Sequence, residues 1–344
     1  MPEVAPSPGG ALVISLDFEL IWGVRDQLPS DGGAYRENLL GAREVIPRML
    51  DLFEEFEIAA TWATVGFLFA RSREELEHYR PCVLPQYADH RLSPYFDAPG
   101  ECEEDDPLRY APSLIEQIRS RPRQEIGSHT YGHYYCLEPG HDLASFRADL
   151  ASAVAIAEAR GITLHSLVFP RNQFNPAYAE AIVEAGIRVC RVNAPGWLYR
   201  EGAGSRYFRP DVRIARLVDA YIGVAGDPIV PWESISFVGD LCLLPESRFL
   251  RPHSPRLRLL ESRRIDQIIA GIERAARVGG VYHLWWHPHN FGRCQEENLA
   301  GLRRILTAYR RCRDEWGMRS LTMCEAADCA AAYQAALGGE AQCA

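Results

Sequence analysis

The chain has 344 residues, a formal net charge of −9 and a sequence pI of about 5.6, with no basic run, which argues against a dedicated nucleic-acid binder. All 37 basic residues are Arg, so Schiff-base lysine chemistry is excluded. At 47% hydrophobic residues the chain can bury a core without disulfide or metal staples.

Met1 to Gly10 is rich in Pro and Gly, with no basic start and no apolar centre, so no secretory signal is visible. No stretch reaches the roughly 18 uninterrupted apolar residues of a membrane span. The expected location is the cytoplasm. Ten Cys are scattered without a C-x2-C pair, which reads as reduced, buried thiols and disfavours zinc-thiolate sites.

Residues 11–17 form an apolar run closing on Asp17, the pattern of a buried parallel strand with a functional C-terminal end. Helical spacing follows over 36–56, a second strand over 58–65 and a helix over 67–79. Residues 80–112 carry six Pro and the acidic run Glu101 to Asp106, an irregular excursion. A helix at 113–120, a strand at 124–128, a helix at 141–160, a strand at 165–169, a helix at 176–186 and a strand at 187–192 continue the alternation. Residues 193–262 are a second excursion, with a strand near 235–243. A helix at 263–278, a strand at 280–286 and helices at 295–316 and 323–337 complete the chain. Alternating strands and helices predict a parallel α/β architecture. Seven βα steps and no Gly-rich dinucleotide fingerprint favour a barrel over a doubly wound sheet.

In such a barrel the strand ends carry the chemistry. Asp17 and Glu19 stand two residues apart at the first end, where their repulsion calls for a shared cation or proton. Alone, an acid pair is as readily a solvated strand end. The third strand runs into Ser128-His129-Thr130-Tyr131-Gly132-His133, which places two imidazoles at i and i+4 on one face of a helical turn, a spacing suited to one divalent metal. The fourth ends at Phe169-Pro170-Arg171-Asn172, where Arg171 can pin a carboxylate. Alternatively Arg171 is a surface residue before a helix capped by Asn175. The last clear strand ends at His283-Leu284-Trp285-Trp286-His287-Pro288-His289. There His287 is a candidate general acid, His283 reads as a satisfied core residue, and His289 is either a pocket or a loop residue. Trp22, Trp197, Trp232, Tyr131, Tyr134 and Tyr135 lie near these loops, where aromatics can stack on sugars but more often pack.

These four segments, in this order, resemble the polysaccharide deacetylase family (the NodB-homology domain of carbohydrate esterase family four) from residue 11 to about 325. The resemblance implies a distorted (β/α)7 barrel, a single domain over 11–340 with insertions at about 80–112 and 193–262. It implies Asp17 as catalytic base, Glu19, His129 and His133 as metal ligands, Arg171 as the residue positioning the base and His287 as general acid. Trp22, Tyr131, Asn172, Trp286 and His289 are the expected substrate contacts. The cofactor is a divalent metal, zinc first, with nickel or cobalt as the other candidates. The partner is a small-molecule or lipid-linked sugar, with no nucleic acid and no transmembrane segment, and an oligomer is compatible with the sequence. Two features depart from the family pattern. The adjacent Asp-Asp is here Asp-x-Glu, which also resembles the metal-independent, allantoinase-like branch. No segment matches the fourth motif convincingly, Asp219, Asp227 and Asp240 being the candidates. The expected function is N-deacetylation or N-deformylation of a sugar or sugar conjugate. The alternatives are ureide hydrolysis without metal on the same scaffold and a catalytically dead carbohydrate-binding module.

Overall fold

The computed structural model describes residues 7–194, 210–222 and 229–341. Trp197 and Asp227, both considered above, lie outside the described residues.

Among the described residues ten strands form one sheet. Strand β1 (Ala11–Phe18) is buried along its whole length and pairs in parallel with β2 (Ala60–Thr64), β9 (Val281–Trp286) and, at its first three residues, β10 (Arg319–Leu321). From β2 the order passes through β3 (Gln124–Ser128), β4 (Ser166–Val168) and β5 (Val189–Val192). Strands β7 (Leu241–Pro245) and β8 (Arg248–Phe249) then form a single bent stretch. Its first half runs parallel to β5 and its second half parallel to β9. At the bend the Glu246 amide donates to Val192 O and the Ser247 amide to His283 O, both at 2.8 Å. Neighbours therefore run in a circuit from β1 through β5, β7/β8 and β9 back to β1, seven strand positions in all. This is the distorted parallel α/β barrel expected from the sequence. The short β6 (Ser236–Val238) is an antiparallel flap on β7.

The excursion at 193–262 thus supplies a wall of the barrel, through Leu241–Phe249, as well as a helix, α6 (Pro210–Ile222). The expected strand near 235–243 overlaps only the start of that wall, and the Gly- and Pro-rich flanks hid the rest of it and the helix. The excursion at 80–112 has only short 3-10 turns among its described elements and reaches the loop after β1 through the Arg25–Asp97 ion pair.

Side-chain alternation sorts the strands into two layers. Leu12, Ile14, Leu16 and Phe18 of β1, with Tyr282, Leu284 and Trp286 of β9, face outward under α1 (Arg36–Glu55), α7 (Glu261–Val278) and α8 (Gln295–Trp316). Helix α1 meets them with Leu39, Val45, Ile46, Leu50 and Phe53, one stripe of a 3.6-residue period. The opposite faces fill the barrel. Ala11, Val13, Val168, Val189, Cys242, Leu244 and Val281 form an apolar floor closed by Met323, Ala326 and Ala330 of α9 (Met323–Ala341). Above that floor the inward positions become polar: Ser15 and Asp17 on β1, Arg191 on β5, His283 on β9. The functional end of the barrel is built on this change.

Candidate active site

Asp17 and Glu19 share the inward face because they are two residues apart in an extended stretch. Leu20 then turns through φ 45°, and the chain leaves the wall. Space for the longer Glu19 side chain comes from Gly23, where a Cβ would lie 1.9 Å from the Glu19 carboxyl carbon. Both acids are buried.

One carboxylate oxygen of Glu19 lies 3.2 Å from His129 Nε2 and 3.1 Å from His133 Nε2. Ligand atoms of the three residues all fall within 4.8 Å of one another. The imidazoles do not reach this point from a helical turn, as their spacing suggested. They sit on an irregular loop after β3 in which Thr130 (φ 64°) and His133 (φ 57°) are left-handed. His133 Nδ1 is held by Tyr135 Oη at 3.0 Å, whereas His129 Nδ1 has no hydrogen-bond partner among the described residues.

Protonation states favour a cation here. Burial raises the Glu19 carboxyl, but the neighbouring charge on His287 and hydrogen bonds from His129 and His133 outweigh it, and the group lies well below the usual carboxylate range. Burial lowers the His133 imidazole against the pull of Glu19. An ionised carboxylate and a neutral imidazole are what a metal ligand set requires. Two imidazole nitrogens and one carboxylate oxygen also match the donor set of catalytic zinc sites with open positions. The residues present fit a divalent metal.

The guanidinium on Asp17 belongs to Arg191, not to Arg171. Arg191, fully buried on β5, makes two parallel hydrogen bonds of 2.7 Å to the Asp17 oxygens. It also donates to Ser15 Oγ (3.0 Å) and Asn172 Oδ1 (2.8 Å), and lies 4.2 Å over the Trp285 ring. Burial raises the Asp17 carboxyl, and the Arg191 charge, aided by His129 and His287, brings it below its ordinary value. Arg171 follows Pro170 in a left-handed conformation (φ 56°) that turns it elsewhere. It pairs with Asp26 at 2.6 Å and Glu138 at 3.1 Å and covers the Tyr135 ring, joining three loops at the mouth. Arg191 was legible in one respect: an Arg inside the apolar run Val189 to Val192 has no place in a barrel interior without an anionic partner.

His287 Nε2 lies 3.4 Å from Glu19 and 3.8 Å from Asp17. Its ring is about a quarter exposed, the most open of these groups. Tyr35 Oη is hydrogen-bonded to the Asn290 amide, which lies 3.3 Å from His287 Nδ1, and His287 Nε2 faces the acids. His283 is a satisfied core residue. Its Nδ1 donates to Pro245 O, its Nε2 accepts from Ser15, and burial lowers its pKa to about 3.

The expected substrate contacts divide unevenly. Trp286 faces outward and packs on Phe53 and Phe291. Trp22 packs on Phe67 and donates to Arg109 O, and Tyr131 donates to Leu76 O. All three are core residues, placed there by alternation or by the loop's turn. Asn172 reaches the site, but to hold Arg191. His289 is buried and stacks behind His287. Trp285, one residue before Trp286, is the inward-facing tryptophan.

Of the acids considered for the fourth motif, Asp219 pairs with Arg248 at 3.8 Å and Asp240 is exposed in the turn between β6 and β7. The buried acid that reaches the site network is Glu246, at the bend between β7 and β8, 3.5 Å from Asn172 Nδ2. Burial, reinforced by Asp17 and opposed by Arg191, pushes its carboxyl up to about 7. A carboxyl raised above its unfolded value stabilises fully below that value and loses the contribution as pH rises through the folded one. Glu246→Gln is thus expected to flatten the fall in stability between about pH 4.5 and pH 7. It should gain on the order of 3 kcal/mol over wild type at pH 8, read by denaturant unfolding at pH 5 and pH 8. Equal pH slopes in the two proteins would count against a proton held on Glu246.

Residues 31–190, a little under half of the chain, match the family model described as polysaccharide deacetylase. These residues belong to the polysaccharide deacetylase family. The match spans His129, His133 and Arg171. Asp17, Glu19, Arg191 and His287 lie outside it and are joined to it by the barrel. The match indicates a hydrolase of amide C–N bonds. Solved structures with this fold include a Mycobacterium smegmatis protein assigned to the polysaccharide deacetylases (17% identity, 96% of each chain covered, TM-score 0.55). The Puue allantoinase is similar as well (14% identity, 94% of this chain and 93% of that one, TM-score 0.53). So is a Pseudomonas aeruginosa PAO1 protein assigned to the polysaccharide deacetylases (12% identity, 93% and 89%, TM-score 0.52). At these identities the likeness concerns the fold alone. No curated protein matches the sequence. Among the described residues no helix is long and apolar enough to cross a membrane.

Proposed function

We propose that this deacetylase-family chain is a metal-dependent amide hydrolase that removes an N-acetyl or N-formyl group from a sugar or sugar conjugate made in the cytoplasm. The reading is carried by the convergence of Glu19, His129 and His133 on one point with Asp17 beside it. A divalent cation held by those three residues, zinc first, would supply Lewis-acid polarisation of the amide carbonyl and acidify a water. The remaining steps fall to the protein's own groups. Asp17, kept ionised by Arg191, takes a proton from the attacking water. His287, as the imidazolium, delivers a proton from Nε2 to the departing nitrogen as the C–N bond breaks and is left as neutral imidazole. Trp285, beside Arg191, walls the inner side of the site, and the Arg171–Asp26–Glu138 cluster borders its mouth.

A second reading has its own support. Glu19 already accepts contacts from both imidazoles, a pairing able to hold the three side chains together with no cation, as metal-independent ureide hydrolysis would need. Metal analysis and chelation separate the two. Purified protein is expected to carry about one zinc, nickel or cobalt per chain. It should release acetate or formate from N-acylated amino sugars or their nucleotide or lipid conjugates, lose that activity to a chelator and regain it with zinc. Full activity in metal-free protein, on ureides in particular, would select the second reading. Sugar binding without turnover of any amide would mark a dead carbohydrate-binding module.

A further inference from the structure

We propose that Asp149, on α4 (Leu143–Glu158), is the positioning residue that shapes the His129–His133 loop before any metal arrives. The inference rests on the metal reading above. Two non-glycine residues of that loop, Thr130 and His133, hold left-handed backbone, which a free segment would relax toward ordinary helical or extended angles. The loop's central amides have no acceptor within the loop itself. They turn to Asp149, which is 1% exposed: one carboxylate oxygen accepts from Tyr131 N at 2.7 Å and the other from Gly132 N at 2.9 Å. Tyr95 Oη lies 3.4 Å from the second oxygen.

The carboxylate therefore grips the two residues midway between the imidazoles. Local bonds complete the shape, with Thr130 N donating to Ser128 Oγ and Tyr134 N to Thr130 Oγ1. These bonds pin the loop to itself, whereas Asp149 pins it to a helix. That helix is fixed independently, by Asp142 capping Ser145 N and by Phe146, Leu150 and Ala153 in the core. Without the carboxylate two buried amides lose their acceptor, and the backbone between the ligands keeps only the ties through its carbonyls, Thr130 O accepting from Gly66 N at 2.9 Å and Tyr131 O from Phe67 N at 3.2 Å. His133 could then swing away from His129, and the ligand set would have to be reassembled at each binding event. Asp149 touches neither imidazole, so it acts on the metal through backbone placement alone.

The test compares wild type with Asp149→Asn, an isosteric change that leaves one carbonyl oxygen where two acceptors stood. Zinc affinity, measured on full-length protein against a chromophoric chelator, is expected to fall about 10-fold or more, the scale found for supporting groups around metal ligands. The cobalt form should show altered visible bands, which a merely structural change elsewhere would not produce. A variant that is folded by circular dichroism and binds zinc like wild type would overturn the proposal. Wild type that binds no zinc would overturn the metal reading and this inference with it. If the variant does not fold, hydrogen exchange in metal-free wild type decides. The Tyr131 and Gly132 amides should be strongly protected before zinc is added, and rapid exchange there would overturn the proposal.

Discussion

Arg191→Ala should destroy turnover and weaken the fold, and it should do so more severely than Arg171→Ala. Removing one member of a buried ion pair leaves the other charge without compensation, at about 3–5 kcal/mol. Here the orphan would be Asp17, 4% exposed, whose carboxyl burial already pushes upward. Freed of Arg191 it is expected to hold a proton near neutral pH and cease to be a base. Loss of a positioned base costs about 10²- to 10⁴-fold in rate, so kcat/KM should fall by at least that factor. Arg191→Lys should recover part of the stability but little of the activity, because a point charge cannot bridge both oxygens. Arg171→Ala should spare the Asp17 geometry and act on stability through Asp26 and Glu138. Near-normal turnover in Arg191→Ala, with loss confined to Arg171→Ala, would reverse the two assignments.

His133→Ala should remove metal and activity together. Changes to supporting groups around a metal typically weaken binding 10- to 100-fold, so losing one of three ligands should weaken zinc affinity by more than about 100-fold. Hydrolysis should drop to background while the fold survives, since the apolar floor and the outer core do not depend on the loop. Protons compete for the same atoms. The His133 imidazole is lowered from its ordinary value, and the Glu19 carboxyl lies well below its own. Metal release from wild type should therefore begin only at a pH below the ordinary imidazole range, measured by zinc retention after equilibration between pH 4 and pH 7. Zinc held equally by wild type and His133→Ala would remove this residue from the ligand set.

Most of the scaffold was readable because it follows local periods. The apolar run at 11–17, the strand at 124–128 and the helix at 295–316 appear within a residue of their expected bounds. The strand Leu241–Phe249 was legible only at its start, within the strand expected near 235–243, because it is short, bent at Glu246 and shared between two neighbours, so it has little period of its own. Strand β10 is three residues long and is held by β1 rather than by any pattern in itself. Trp286 illustrates a different failure: it was an expected substrate contact, but strand alternation places it on the outward face, away from His287.

The amino-acid sequence by itself determined the alternation of strands and helices, the acids at the end of the first strand and the paired histidines after the third. Each of these is set by residue type and spacing over a few positions. Which arginine meets Asp17, how two imidazoles reach one carboxylate from a non-helical loop, and where Glu246 stands were decided only by the tertiary structure. The cause is barrel closure: it brings β5 and the β7/β8 bend to the same interior as β1, so partners 174 positions apart in the chain share a buried pair of hydrogen bonds. No local period encodes such a contact, because its geometry exists only once the circuit of strands is complete.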